Sequence, residues 1–437
     1  MYKSCISHKL NIKVMSTEVR KKVIVLGGGT FSHVRAHMAL SAPAFGQTAR
    51  FLAEKAKEMY DHLDVELVLT KMADSSSKLV TNDDVSNYID ELIQDNTIKM
   101  IIFNVALCDF NGQIGDVVSG KHAERLETLA GDTTIHLTPS DKIIRKIRAV
   151  RKDIFLIGFK TTAGADEQTQ FSKGLNLMKK SSANLVFAND IVTKSNFIIT
   201  PEEGVYGKDM SRNEALTEML SIAYHRTHLT FTRSQVVAGS PVAWSDERVP
   251  RTLREVVDWC VEQGAYKEFN GATTGHFAVK LEPTKFLTSI RKTNFNEIDK
   301  YGMVLVETDG DDNVTSYGLK PSVGGQSQRI IFERYEKTNC IVHFHCPLKE
   351  KPLHDIPVVS QREYECGSHQ CGENTANGLE QFGNLFCVML DNHGPNIVFN
   401  SDINPNEVIL FIESNFDLNE STSGFKKVYL DVKSETV

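Results

Sequence analysis

No apolar run in the 437-residue sequence reaches the roughly 18 residues that would span a membrane. A helical membrane anchor is therefore not expected, and neither is a membrane partner. A large excess of one charge is also missing. The formal net charge is −7 and charged residues make up 24%. That balance argues against a broad nucleic-acid footprint. Neither a GxGxxG fingerprint nor a Walker A loop occurs, so the two commonest phosphate-binding signatures are absent. There is no internal repeat and no low-complexity tract. What remains, at 41% hydrophobic residues, is an ordinary globular composition in a chain long enough for two or three domains. The eight cysteines are scattered, mostly in apolar contexts such as Cys108, Cys340 and Cys387. With no signal peptide ahead of them, they fit a reduced, cytoplasmic setting. Residues 1–19 are polar and aperiodic, which reads as a flexible leader, with Met15 as an alternative start.

The first half alternates strand-like apolar runs with amphipathic stretches. Lys22–Leu26 (KVIVL) runs into Gly27-Gly28-Gly29-Thr30, and helices are expected at 48–59, 83–95, 141–150, 168–180 and 211–227. Between them lie VELVL (65–69), MIIFNV (100–105), IFLIGF (154–159) and NLVFA (184–188). Strands separated by helices predict an α/β domain with a parallel sheet and helices on both faces. Residues 233–248, with Gly239-Ser240-Pro241, read as a linker. Beyond it come a helix at 250–264 and short strands at 276–280, 302–307, 340–345, 386–390 and 408–411, with a helix at 327–337. That pattern predicts an α+β domain with a largely antiparallel sheet. The expected domains are thus 20–232 and 249–432, the first nucleotide-binding and the second metal-binding.

Two local features carry chemistry. The glycine run after KVIVL would let backbone N–H groups approach a phosphate; a tight strand-to-helix turn explains it equally well. The stretch Ile341–Cys346 (IVHFHC) places His343 and His345 two apart in an apolar strand, where they share one face about 6–7 Å apart. Such a pair suits one metal ion; two histidines satisfied by hydrogen bonds would look the same.

Behind the glycine run, NVALCDFN (104–111), FLIGFKTTA (155–163) and NLVFAND (184–190) follow in an order and spacing that resembles phosphopantothenoylcysteine synthetase, the phosphopantothenate–cysteine ligase. The resemblance covers roughly residues 20–230, and its most specific part is AND with the following TKSNFIITPEEG. It implies a Rossmann-like fold, a role in coenzyme A biosynthesis, and a nucleotide, CTP or ATP with Mg2+. It maps the nucleotide onto Gly27, Gly28, Gly29, Thr30, Asp109, Gly158, Phe159, Asn189 and Asp190, and a charge-neutralising catalytic lysine onto Lys121. A nucleotidyl transfer needs such a cation and a metal-binding carboxylate. The chain departs from the family where Ala39 stands for its catalytic asparagine and Thr162 for its glutamate after GF.

In the second half, Leu390–Phe399 reads LDNHGPNIVF. An HxH strand some 50 residues before an NHG turn resembles the class II aldolase/adducin family, over roughly residues 248–430. TGHFAVK (274–280), GMVLVETDG (302–310) and Lys320-Pro321-Ser322 support it. The resemblance implies Zn2+, or another divalent metal, held by His343, His345 and His393. Three imidazoles with an open fourth position make a catalytic rather than a structural site, one able to polarise a carbonyl. Here the family's acid falls on Gly324 and its phosphate-binding asparagine on His276. In the segment REYECGSHQCGENTANGL (362–379), Glu365 and Glu373 are the candidates to replace that acid. Cys366, His369 and Cys371 could hold a second metal, or the segment could simply line the pocket.

The expected function is a bifunctional metabolic enzyme, a nucleotide-dependent ligase-like domain joined to a metal-dependent lyase-like domain. One composite reaction using both sites is an alternative, as is a regulatory nucleotide-binding module on a lyase. The two resemblances imply small-molecule substrates and a homo-oligomer, a tetramer or octamer, with no nucleic-acid partner.

Overall fold

The computed structural model describes residues 20–128, 131–231, 233–309, 313–322 and 325–425. The leader and Gly324 lie outside them. The first half runs β1 (Lys22–Gly29), a hairpin of β2 (Phe31–Arg35) and β3 (Met38–Ser41), α1 (Gln47–Met59), β4 (Asp64–Leu69), α2 (Asn82–Leu92) and β5 (Ile98–Ala106). A second hairpin, β6 (Phe110–Gln113) and β7 (His136–Pro139), precedes α3 (Ile144–Val150), β8 (Phe155–Thr162), α4 (Glu167–Ser181) and β9 (Leu185–Asp190). Then come β10 (Asn196–Ile199), β11 (Val205–Tyr206) and α5 (Arg212–Arg226).

The apolar runs are buried on both faces, as central strands of a parallel sheet must be. The sheet order is β11-β10-β9-β8-β5-β1-β4. Its parallel strands, numbered along the chain, stand 2-1-3-4-5. The strand order therefore reverses between β1 and β5, which makes their carboxyl ends the topological switch point. One face is covered by α2, α3 and α4 through Ile89, Ile147 and Phe171, and the other by α1 and α5 through Leu52 and Leu220. Capping boxes of Thr81 with Asp84 and Ser211 with Glu214 start α2 and α5.

The glycine run does not turn into a helix. It completes β1, which passes into the β2–β3 hairpin, and α1 starts only after Gly46. The three glycines serve close packing. A Cβ on Gly27 would lie 2.2 Å from that of Ala49, and one on Gly29 2.0 Å from the Ala42 carbonyl oxygen.

The second half begins with β12 (Arg233–Val237), inside the segment expected to be a linker. It continues with α6 (Arg251–Glu262), a small hairpin of β13 (Glu268–Phe269) and β14 (Ala272–Thr273), β15 (His276–Glu282), β16 (Lys285–Ser289), α7 (Ile298–Tyr301), β17 (Met303–Thr308) and β18 (Asn313–Tyr317). After α8 (Gly325–Arg334) and β19 (Cys340–His343) follow β20 (Val358–Val359), α9 (His369–Gly378), β21 (Glu380–Phe382), β22 (Leu385–Leu390), β23 (Gly394–Phe399) and α10 (Pro405–Asn415). The sheet runs β12-β18-β17-β16-β15-β19-β23-β22-β20, with β21 beside β22. It is antiparallel except at its margins, where β12 pairs with β18 and β20 with β22 in parallel. Helices α6 and α10 cover one face, and α8 and α9 the other.

Residues 408–411, expected as a strand, belong to α10. Asn404 caps that helix with Pro405 at its first turn, and Val408, Phe411, Ile412 and Asn415 are buried at helical spacing. Within the segment 362–379, His369–Gly378 form α9 behind a Ser368 cap.

The halves pack directly on each other. Phe425 stacks on Phe171 with ring centroids 4.8 Å apart. Arg362 forms a two-pronged pair with Glu218, Nε–Oε1 2.6 Å and Nη2–Oε2 2.9 Å. Arg226, fully buried at the end of α5, pairs with Glu202 at 2.5 Å and donates to the carbonyls of Gln361 and Arg362.

Candidate metal centre and nucleotide-facing edge

His343, His345 and His393 come together, each at most 6% exposed, with one ring nitrogen apiece within 4.8 Å of the others. The fold explains how. His343 is the last residue of β19 and lies opposite Asn396 of β23. The next pair would set Phe344 against Pro395, which has no N–H to give, so the ladder ends there. His345 therefore sits just past the strand, not within it as the HxH spacing predicted. Gly394 keeps the two chains close beyond the ladder. Its φ is +145° and a Cβ there would lie 2.0 Å from the Phe344 carbonyl oxygen. His393 closes the three-residue loop between β22 and β23, with Asn392 in the left-handed region at φ 55°.

The donor chemistry fits a metal. The Nδ1–H of His343 donates to the Pro395 carbonyl at 2.7 Å. That contact fixes its tautomer and leaves Nε2 with a lone pair. This Nε2 lies 3.2 Å from Nε2 of His393. Two ligands about 2.0–2.1 Å from one tetrahedral ion stand about 3.3–3.4 Å apart. Burial pushes the His343 imidazole down to about 4, against the opposing pull of the Pro395 carbonyl. His393 is held well below the usual range by burial and then by neighbouring positive groups, His343 and His276 foremost. Neutral imidazoles are what a metal requires.

His276 flanks the centre, its ring 4.7 Å from that of His343, with the Gln328 side chain 2.9 Å from its Nδ1. Gln328 was not legible as a site residue.

The two acids proposed as replacements are engaged elsewhere. Glu373 lies on the outer side of α9, paired with Arg334 at 2.6 Å and with His369 at 3.8 Å. Glu365 is buried at the seam between the halves, where the Asn184 amide donates to both its oxygens at 3.0 Å. Burial pushes its carboxyl up to about 7; Arg226 opposes this and Glu202 adds to it. Cys366, His369 and Cys371 do not form a metal-binding group. Among the described residues the three histidines are the cluster of that kind. Cys371 instead accepts from the Gln361 amide at 3.2 Å.

In the first half, Gly27–Thr30 and Asp109 lie at or just beyond the carboxyl ends of β1 and β5, the switch point of the sheet. Asp109 is exposed and pairs with Lys142 at 2.8 Å. Thr30 is buried, and its hydroxyl donates to Asn82 at 2.6 Å. Lys121 is exposed on the loop after β6, and Ala39 is exposed on β3. Gly158 and Phe159 lie within β8, paired with Val186 and Phe187. Asn189 is buried at the end of β9.

Asp190 has a structural employment. Its carboxylate accepts from the backbone of Gly164, Ala165, Val192 and Thr193 and from the Thr162 hydroxyl, all at 2.8–3.0 Å. Burial works against its ionisation, and these donors outweigh it and hold the carboxyl well below the usual range. Thr162, in the place of the family glutamate, is thus part of that turn.

The family model "Class II Aldolase and Adducin N-terminal domain" matches residues 254–403. The coenzyme A biosynthesis bifunctional protein CoaBC of Thermococcus kodakarensis is 22% identical over 176 residues, 39% of this chain and 41% of that protein. The chain thus spans about two fifths of that relative. Among solved structures, the DNA/pantothenate metabolism flavoprotein from Streptococcus pneumoniae is 16% identical, with a TM-score of 0.36, covering 47% of this chain and 96% of that one. L-Fuculose 1-phosphate aldolase is 17% identical, with a TM-score of 0.28, covering 37% of this chain and 81% of the other. No helix among the described residues is long and apolar enough to cross a membrane. One chain therefore combines a stretch, residues 254–403, that matches the class II aldolase/adducin model with an N-terminal half similar to part of the bifunctional protein CoaBC.

Proposed function

We propose that the chain is a bifunctional metabolic enzyme whose second half is a divalent-metal-dependent lyase acting on a small molecule. The carrying observation is the 3.2 Å approach of Nε2 of His343 to Nε2 of His393 in a buried three-histidine cluster. His343, His345 and His393 would hold the ion, most naturally Zn2+. When bound, it would supply a Lewis acid for a substrate carbonyl. The chain's own residues set the rest. Pro395 fixes the tautomer of His343, and burial favours the neutral form of His343 and His393. The Gln328–His276 pair offers a polar wall beside the cluster.

For the first half we propose a nucleotide, CTP or ATP with Mg2+, at the switch point near Gly27–Thr30 and Asp109, with Lys121 as its cation. The position of Gly27–Thr30 and Asp109 at the carboxyl ends of β1 and β5 supports this reading.

The lyase reading is tested by elemental analysis of the purified chain. About one divalent ion per chain is expected in wild type, with at least tenfold weaker retention in His345→Ala. A metal-free wild type that takes up no Zn2+ on dialysis would end the reading and leave the 3.2 Å contact as a hydrogen bond between imidazoles.

A further inference from the structure

A loop of the N-terminal half reaches into the three-histidine cluster. Residues 200–204 (TPEEG) join β10 to β11, and Oε2 of Glu203 lies 3.9 Å from Nδ1 of His345. The two side chains are 1% and 8% exposed. That separation is within ion-pair reach and longer than a hydrogen bond. The loop is built for this approach. Glu203 adopts φ 71°, a left-handed conformation that a non-glycine residue takes only when its surroundings impose it. The imposition is visible on both sides. The Glu203 amide donates to the Thr200 carbonyl at 2.9 Å, and the Thr200 amide to the Gly204 carbonyl at 3.1 Å. Gly204 lies against the residue preceding His393: a Cβ on it would sit 3.0 Å from the Asn392 carbonyl oxygen. Next door, Glu202 is held by the buried Arg226. Lys179 balances the Glu203 charge at its other oxygen, Nζ–Oε1 3.1 Å, which leaves Oε2 directed at His345.

We propose that Glu203 is a positioning residue of the metal centre: its carboxylate, supplied by the ligase-like half, faces Nδ1 of His345 and keeps the proton there, so that Nε2 of that imidazole is the nitrogen left for a metal. This rests on the lyase reading above. The same device already holds His343, whose Nδ1 faces the Pro395 carbonyl. Partners of this kind orient ligand imidazoles and raise their basicity. The lyase-like half would then be complete only when docked on the other half, and the two functions would share a wall.

The test uses the full chain, with Co2+ as a visible probe and Zn2+ by competition. Glu203→Gln keeps shape and removes charge. Its affinity for either ion is expected to fall about 10–100-fold, with an altered cobalt visible spectrum. Wild type that binds no cobalt or zinc would sink the lyase reading itself. Wild type that binds, beside a Glu203→Gln chain of equal affinity and unchanged spectrum, would sink the role of Glu203 alone. Should the variant not fold, histidine 15N spectra of zinc-loaded wild type decide instead. His345 is expected to carry its proton on Nδ1 and to bind through Nε2; binding through Nδ1 would overturn the proposal.

Discussion

At the scale of single residues, the seam between the halves is unusual for its buried charge. Arg226, Glu202 and Glu365 sit within it, and the Asn184 amide donates to the Glu365 carboxylate. Glu365 has a folded-state pKa pushed up to about 7 by burial, against about 4.3 for a free glutamate. The sign follows directly. Between those values the folded chain holds a proton that the unfolded chain has released, so stability falls as pH rises through the window and levels off above it. The expected loss is on the order of 1–3 kcal/mol. Glu365→Gln, which stays neutral throughout, should flatten that part of the profile. Urea midpoints at pH 5 and pH 8 measure it. An equal drop in wild type and variant would remove Glu365 as the cause.

At the scale of elements, the carboxyl ends of β1 and β5 carry the candidate nucleotide site, and Asp109 offers a clean probe of it. Its pair with Lys142 is 72% and 55% exposed, so losing the pair should change stability by no more than about 1 kcal/mol. Asp109→Ala should therefore fold normally and bind magnesium CTP or ATP at least about tenfold more weakly, about 1.4 kcal/mol, by calorimetry. Unchanged affinity would remove Asp109 from the site, and the absence of nucleotide binding in wild type would remove the site. The elements themselves were largely legible, because buried parallel strands and amphipathic helices leave distinct periods in the sequence. Two were not. Residues 408–411 are as apolar as a strand, and only the Asn404-Pro405 start distinguishes the helix. The glycine run reads as a phosphate turn, yet its lack of side chains admits Ala49 and Ala42 against β1.

At the scale of the whole molecule, the halves behave as one packed unit. Arg226 spans the seam with no exposed side-chain surface, holding Glu202 and the carbonyls of Gln361 and Arg362. Arg226→Met would leave a carboxylate buried without its counter-charge, which costs about 3–5 kcal/mol. Calorimetry should show a lower melting temperature and two separated transitions. A single unshifted transition would mean that the seam does not couple the halves. This scale was the least legible in the sequence. The grouping of His343, His345 and His393 followed from a family resemblance, itself carried by two local patterns, the HxH stretch and the NHG turn. Glu203 was not, although its loop lay inside a segment already singled out. Its meeting with His345 joins positions far apart in the chain, and no local period records such a contact.

The parallel pairing of β12 with β18 has a practical consequence for anyone dividing the chain. Residues 233–237 lie ahead of the aldolase-like domain in sequence, yet they close the margin of its sheet. A fragment beginning at residue 249 would strip that cover and bare the outer backbone groups of β18, a ready template for edge-to-edge association. Any C-terminal fragment would have to begin before Arg233 to keep that strand.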